Sequence, residues 1–135
     1  MVRGKAFTVE ARVEAGGKDG VIIAQGGTNH GWALHIWGGT LRFVTRHGGK
    51  LTMVADEKPF PKDSVVVFAE LSKDGSVTLK IDGTVVARGK TLGALSDMPL
   101  DGLEVGEDRN GAVGRYSADT KFGGKVDAVK LQLIK

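Results

Sequence analysis

The chain has 135 residues, 41% of them hydrophobic and 26% charged, with a formal net charge of +3 and no cysteine. That length fits one domain able to bury about two-thirds of its unfolded surface without covalent staples. The missing cysteines exclude disulfides and thiolate metal sites while leaving the compartment open. A net +3 is too small for a nucleic-acid surface. No apolar run approaches the roughly 20 residues of a membrane helix, and Met1-Val2-Arg3-Gly4-Lys5 leads into a strand-like run with no apolar signal-peptide core. An export signal, if the natural protein has one, is expected outside this chain.

The periodicity is that of strands almost from end to end. Phe7-Thr8-Val9-Glu10-Ala11-Arg12-Val13-Glu14 alternates apolar and polar residues, predicting a half-buried strand over 6–14. Short apolar runs predict further strands over 20–25, 31–37, 40–46 and 50–55. Trp37-Gly38-Gly39-Thr40 and His47-Gly48-Gly49-Lys50 supply turns between the last three. Strands follow over 63–72, 76–81, 84–89, 102–106 and 125–134, with Lys73-Asp74-Gly75 and Asp82-Gly83 as punctuation. Asp-Gly between alternating runs is a strong hairpin signal, because a type I′ turn needs positive φ at both central residues. Leu92 to Met98, broken by Gly93, predicts at most a helical turn, and 107–121 reads as a long loop. With 21 glycines against 3 prolines, placed between short strands, the pattern is that of an antiparallel sandwich or barrel. No linker, composition shift or internal repeat divides it.

Charge is distributed unevenly along these elements. Between Val21 and Ala55 there is no Asp or Glu, yet this stretch holds Trp32, Trp37, all three histidines, Arg42, Arg46 and Lys50. The other 16 bases balance the 16 acids, so the net +3 resides here. Aromatic planes beside cations, with no competing carboxylate, suit an anionic or sugar-like ligand. Strand parity puts Trp32, Leu34 and Ile36 on the core side with Leu41, Phe43, Leu51 and Met53. It leaves His35, Trp37, Arg42, Arg46 and Lys50 on one outward face, a grouping that depends on register because a one-residue slip would scatter it.

Gly20-Val-Ile-Ile-Ala-Gln-Gly-Gly27, then Gly31-Trp-Ala-Leu-His-Ile36 and Leu41-Arg-Phe43, resemble the opening of a concanavalin-like, laminin-G-type jelly roll. Val77-Thr-Leu-Lys-Ile-Asp-Gly83, Leu103-Glu-Val-Gly-Glu-Asp108 and Phe122-Gly-Gly-Lys-Val-Asp-Ala-Val129 continue the family's order. The nearest resemblance is to the β-sandwich domain near the C-terminus of some bacterial sulfatases. It implies that residues 1–135 form one all-β domain, a two-sheet antiparallel jelly-roll sandwich. The resemblance also implies that the N-terminal strand near Val9 pairs with the C-terminal strand near Leu131. Such modules mostly bind glycans or pack on an enzyme, so a parent sulfatase-like catalytic domain is an implied partner.

Catalysis is not expected. The sulfatase motif needs a cysteine or serine before Pro and Arg, which this chain lacks. Glu104 and Glu107 fall on opposite faces of a regular strand, whereas paired catalytic carboxylates must share a cleft about 5–9.5 Å apart. His30 and His47 read as loop residues without a partnering carboxylate, and His35 as an ordinary exposed strand residue. No cofactor is expected. Laminin-G-type domains sometimes hold calcium, and Gly106-Glu-Asp-Arg-Asn-Gly111 offers oxygen ligands, but it lacks the later bidentate glutamate of a known calcium loop. Two readings follow. One is a carbohydrate-binding module whose ligand contacts are His35, Trp37, Arg42, Arg46 and Lys50, the glycan being acidic or sulfated. The other is a structural domain that packs on its parent or on a second copy.

Overall fold

A computed structural model describes residues 6–26, 31–91, 103–105 and 122–134. Among them are ten strands: β1 (Ala6–Glu14), β2 (Gly20–Gly26), β3 (Gly31–Trp37), β4 (Thr40–His47), β5 (Lys50–Ala55), β6 (Val65–Leu71), β7 (Ser76–Ile81), β8 (Thr84–Lys90), β9 (Leu103–Val105) and β10 (Lys125–Ile134). They form two five-stranded sheets, β10-β1-β6-β7-β8 and β5-β4-β3-β2-β9, with antiparallel pairing between all neighbours. No helix occurs among the described residues. Strand spacing leaves a sandwich or a barrel open, and the fold is the all-β, two-sheet antiparallel jelly roll that the resemblance implies. The helical turn predicted at 92–98 and the loop at 107–121 lie outside the described residues.

Alternation builds the core. Phe7, Val9, Ala11 and Val13 of β1 meet Val65, Val67, Ala69 and Leu71 of β6 on the inner face of the first sheet. Trp32, Leu34, Ile36, Leu41 and Phe43 face them from the second, as their parity predicts. Trp32 is fully buried, with ring centroids 5.0 Å from Phe7 and 6.1 Å from Phe43. Its indole N–H donates to Gln25 Oε1 at 3.3 Å, so the one polar atom of the largest core side chain is satisfied. The unbroken apolar run in β2 is explained by a register shift between Val21 and Ile23, which lets both Ile22 and Ile23 enter the core.

The turns follow the sequence chemistry. Gly38 and Gly39 have φ of +61° and +78°, and Asp82 and Gly83 have +49° and +81°, the paired positive values of a type I′ hairpin. Val9 pairs with Leu131, so the first and last strands do lie side by side. At the opposite margin β8 and β5 bring the two sheets together. There a Cβ on Gly89 would come within 2.7 Å of Val54 Cγ2.

One strand reverses the expectation. Leu51 and Met53 were the apolar choices for the inner face of β5, but Val54 pairs with core residue Phe43 and is the buried one. The reason is the two-residue Gly48-Gly49 turn, which pairs His47 with Lys50 and so fixes the parity of the whole strand. Leu51 therefore lies opposite Arg46, and Met53 opposite Val44, on the outer face.

Candidate functional site

The outer face of the second sheet carries the acid-free segment. Directly opposite residues in antiparallel strands share a face, so Val21, His35, Arg42 and Ala55 form one row across it. The next row is Ala24, Ala33, Val44 and Met53. Trp37 belongs to the same face by parity and sits at the end of β3, paired with Thr40 across the Gly38-Gly39 turn. Trp37, Arg42 and Met53 thus step diagonally over β3, β4 and β5. Trp37 is 40% exposed and Met53 48%, while Ala33, His35 and Val44 on the same face are buried.

Arg42 is held between its two apolar neighbours. Its Nε donates to Thr40 Oγ1 at 3.2 Å and its Nη1 to Met53 Sδ at 3.6 Å. Thr40 in turn donates from Oγ1 to the Trp37 carbonyl at 3.1 Å. These two bonds orient the guanidinium and leave it further N–H groups that could meet an external acceptor. Arg46 is on the same face, its Nη1 donating to the Gly49 carbonyl at 2.7 Å. Arg46 is four residue steps beyond Arg42, about 13 Å at the usual rise. They cannot grip one small anion together, but they could engage an extended oligosaccharide at two points.

Two members of the predicted set are not exposed on this face. Lys50 pairs with His47 and has the parity of Thr52 and Val54, so it does not share the face of Arg42. His35 is on the face but is only 2% exposed, so it is no surface contact. Burial, then the Arg42 charge, lowers its pKa from 6.5 to about 4, against a smaller opposing pull from Asp19, and the imidazole is neutral at pH 7. Val21, Ala24, Ala33 and Val44 are buried on this side as a second small apolar cluster. The most exposed large apolar side chains of the face are Trp37 and Met53, with Arg42 on the diagonal between them. His47 closes β4 rather than lying in a loop.

Sequence reasoning missed Met53, whose outward parity could have been found by counting from the Gly48-Gly49 turn. It also missed Asp19, whose carboxylate accepts from Gly38 N and Gly39 N, each at 2.9 Å. No local signal announces that contact across the chain. Elsewhere, a pocket of about 190 Å³ on the rim of the first sheet is lined by Glu14, Lys18, Lys125 and neighbouring small residues, and contains none of the predicted site. Glu104 pairs with Ala24 through β9. Glu107, His30 and the 106–111 loop lie outside the described residues. Among the described residues no three His, Asp or Glu side chains gather as a metal site.

No protein-family model matches the sequence, and no curated protein matches it. Solved structures do match. Domains LG4-5 of the mouse laminin α1 chain superpose with a TM-score of 0.74 at 17% identity, over 99% of this chain and 38% of that one. The CBM40 of the Ruminococcus gnavus IT-sialidase gives 0.70 at 14% identity, over 98% of this chain and 79% of that one. A botulinum neurotoxin type C structure, from a toxin whose cell entry depends on interaction with two ganglioside molecules, gives 0.52 at 13% identity, over 73% of this chain and 29% of that one. The chain thus spans less than half of the laminin and toxin chains. At these identities the likeness establishes the fold alone, a two-sheet jelly-roll sandwich.

Proposed function

We propose that this chain is a non-catalytic carbohydrate-binding module that takes its ligand on the Trp37–Arg42–Met53 diagonal, with Arg46 as a second contact along the chain of sugars. The observation that carries the reading is the tethered guanidinium of Arg42 between two exposed apolar side chains. An aromatic plane stacks on the apolar face of a sugar ring, and a fixed guanidinium bonds a carboxylate or sulfate bidentately. The ligand class proposed is therefore an acidic or sulfated glycan. The sialidase CBM40 and the ganglioside-dependent toxin support a glycan ligand on this fold.

Exposed charge pairs contribute only about 0–1 kcal/mol each, so affinity in the micromolar to millimolar range is expected, falling as salt rises. The test is calorimetric titration with 3′-sialyllactose, a heparin hexasaccharide and neutral lactose at low and high ionic strength, repeated on Trp37→Ala and Arg42→Ala. Binding of an acidic probe that both substitutions weaken supports the reading. Failure of all three probes at millimolar concentration rejects it.

The second reading, an interaction domain of a sulfatase-like protein, is favoured by the same exposed Trp37 and Met53, since exposed apolar side chains on one face also mark protein contacts. Gel filtration of the wild type and Trp37→Ala at increasing concentration distinguishes self-association from a monomeric glycan binder.

A further inference from the structure

The binding diagonal is built from a stretch without acids, yet an acid from outside that stretch holds its tip. Asp19 lies in the connection between β1 and β2, 19 residues before Gly38. Its Oδ2 accepts from Gly38 N and its Oδ1 from Gly39 N, both at 2.9 Å. Both glycines have positive φ, +61° and +78°. Successive amides of such a turn converge into a concavity that favours an anion, and here the carboxylate fills it from within the chain.

We infer that Asp19 is a positioning residue for the ligand platform, an inference that rests on the carbohydrate-binding reading above. The clamped turn is only two residues long, so its orientation is passed directly to Trp37 before it and Thr40 after it. Thr40 then bonds the Trp37 carbonyl and the Arg42 Nε. Through these links Asp19 fixes both the stacking plane and the nearest guanidinium while touching neither directly. A Cβ on Gly38 would stand 3.8 Å from Arg42 Nη2, which shows how closely the guanidinium end overlies the clamped turn. Binding to a platform already in place avoids the ordering cost that a loose hairpin tip would add.

The experiment uses the full chain as wild type, Asp19→Ala, Asp19→Asn, Trp37→Ala and the Asp19→Ala/Trp37→Ala double variant. Asn keeps the size but offers one acceptor oxygen, so it should fall between wild type and Ala. In Asp19→Ala, hydrogen exchange at the Gly38 and Gly39 amides should accelerate at least about tenfold, with the Ala33 and Val44 amides unchanged. Acrylamide quenching of tryptophan fluorescence should rise, and this reports Trp37 because Trp32 is fully buried. Affinity for 3′-sialyllactose or the heparin hexasaccharide should drop about fivefold to tenfold, and the double variant should lose less than the two single losses combined, because both act on the same stacking plane. Unchanged exchange and quenching in Asp19→Ala would overturn the inference, as would additive losses in the double variant. If Trp37→Ala leaves both probes unaffected, the carbohydrate reading fails, and exchange and quenching alone decide whether Asp19 positions the turn.

Discussion

Acidification should destabilise this protein through one buried side chain. His35 is 2% exposed, paired across the sheet with Val21 on β2 and Arg42 on β4, and it feels the Asp19 carboxylate from the β1–β2 connection. Its pKa is lowered from 6.5 to about 4 in the folded chain, first by burial and then by Arg42. The folded value lies below the unfolded one, so on acidification the unfolded chain takes up the proton first. The stability contributed by neutral His35 is complete above about pH 6.5, declines as pH falls to about 4, and is flat below that. At 1.36 kcal/mol per unit the total is about 3 kcal/mol, with a limiting slope of about 1.4 kcal/mol per pH unit. Urea unfolding of wild type and His35→Gln from pH 7.5 to 4.0 isolates this contribution, because the other titrating groups cancel in the difference. The wild type should lose about 3 kcal/mol relative to the variant over that range. An NMR titration of the folded wild type should place the imidazole midpoint near 4. Parallel stability curves, or an imidazole that titrates near 6.5, would refute the reasoning.

Other outcomes follow from packing and register. Trp32→Ala removes the fully buried centre of the aromatic cluster and should cost about 3–5 kcal/mol by urea unfolding. Gly89→Ala brings a Cβ to 2.7 Å from Val54 Cγ2, a stiff β-branched neighbour, and should cost about 1–3 kcal/mol, part of it regained in a Gly89→Ala/Val54→Ala double variant. Gly83→Ala meets no atom within 4 Å, so its loss of about 1–2 kcal/mol in thermal unfolding should reflect only the φ of +81°. Lys50→Ala should leave glycan affinity unchanged in the same titrations that Arg42→Ala weakens, because the two side chains have opposite parity.

Much of this was legible from residue order. Alternation in β1 and β7, the Asp82-Gly83 and Gly-Gly turns, and the inward set Trp32, Leu34 and Ile36 all follow from rules acting over a few residues. The Val9–Leu131 pairing came from the resemblance, since no local rule joins residues that far apart. The errors arise where both faces of a strand are apolar. Leu51, Met53 and Val54 give β5 no clean period, so hydrophobicity alone selected the wrong parity, and Lys50 was displaced with it. The burial of His35 depends on what covers the outer face, a property of tertiary packing. Its trace in the sequence is the run of small apolar residues Ala24, Ala33 and Val44 on that side. The Asp19 clamp leaves no trace because it depends on where two separate connections meet.

The pairing of the first strand with the last has a mechanical consequence. Ala6 is opposite Ile134, so tension applied to both ends acts at one end of a single antiparallel ladder. The ladder's bonds lie perpendicular to the strands, and such a load opens them one after another rather than all together. Stretched in this way, β10 should peel from β1 at low force, from Ala6–Ile134 as far as the register shift between Glu10 and Arg12, where Ala128 has a φ of +51°. The sheet that carries Trp37 and Arg42 contains neither strand. A ligand held there would feel little of the pull until the peeling strand had come away.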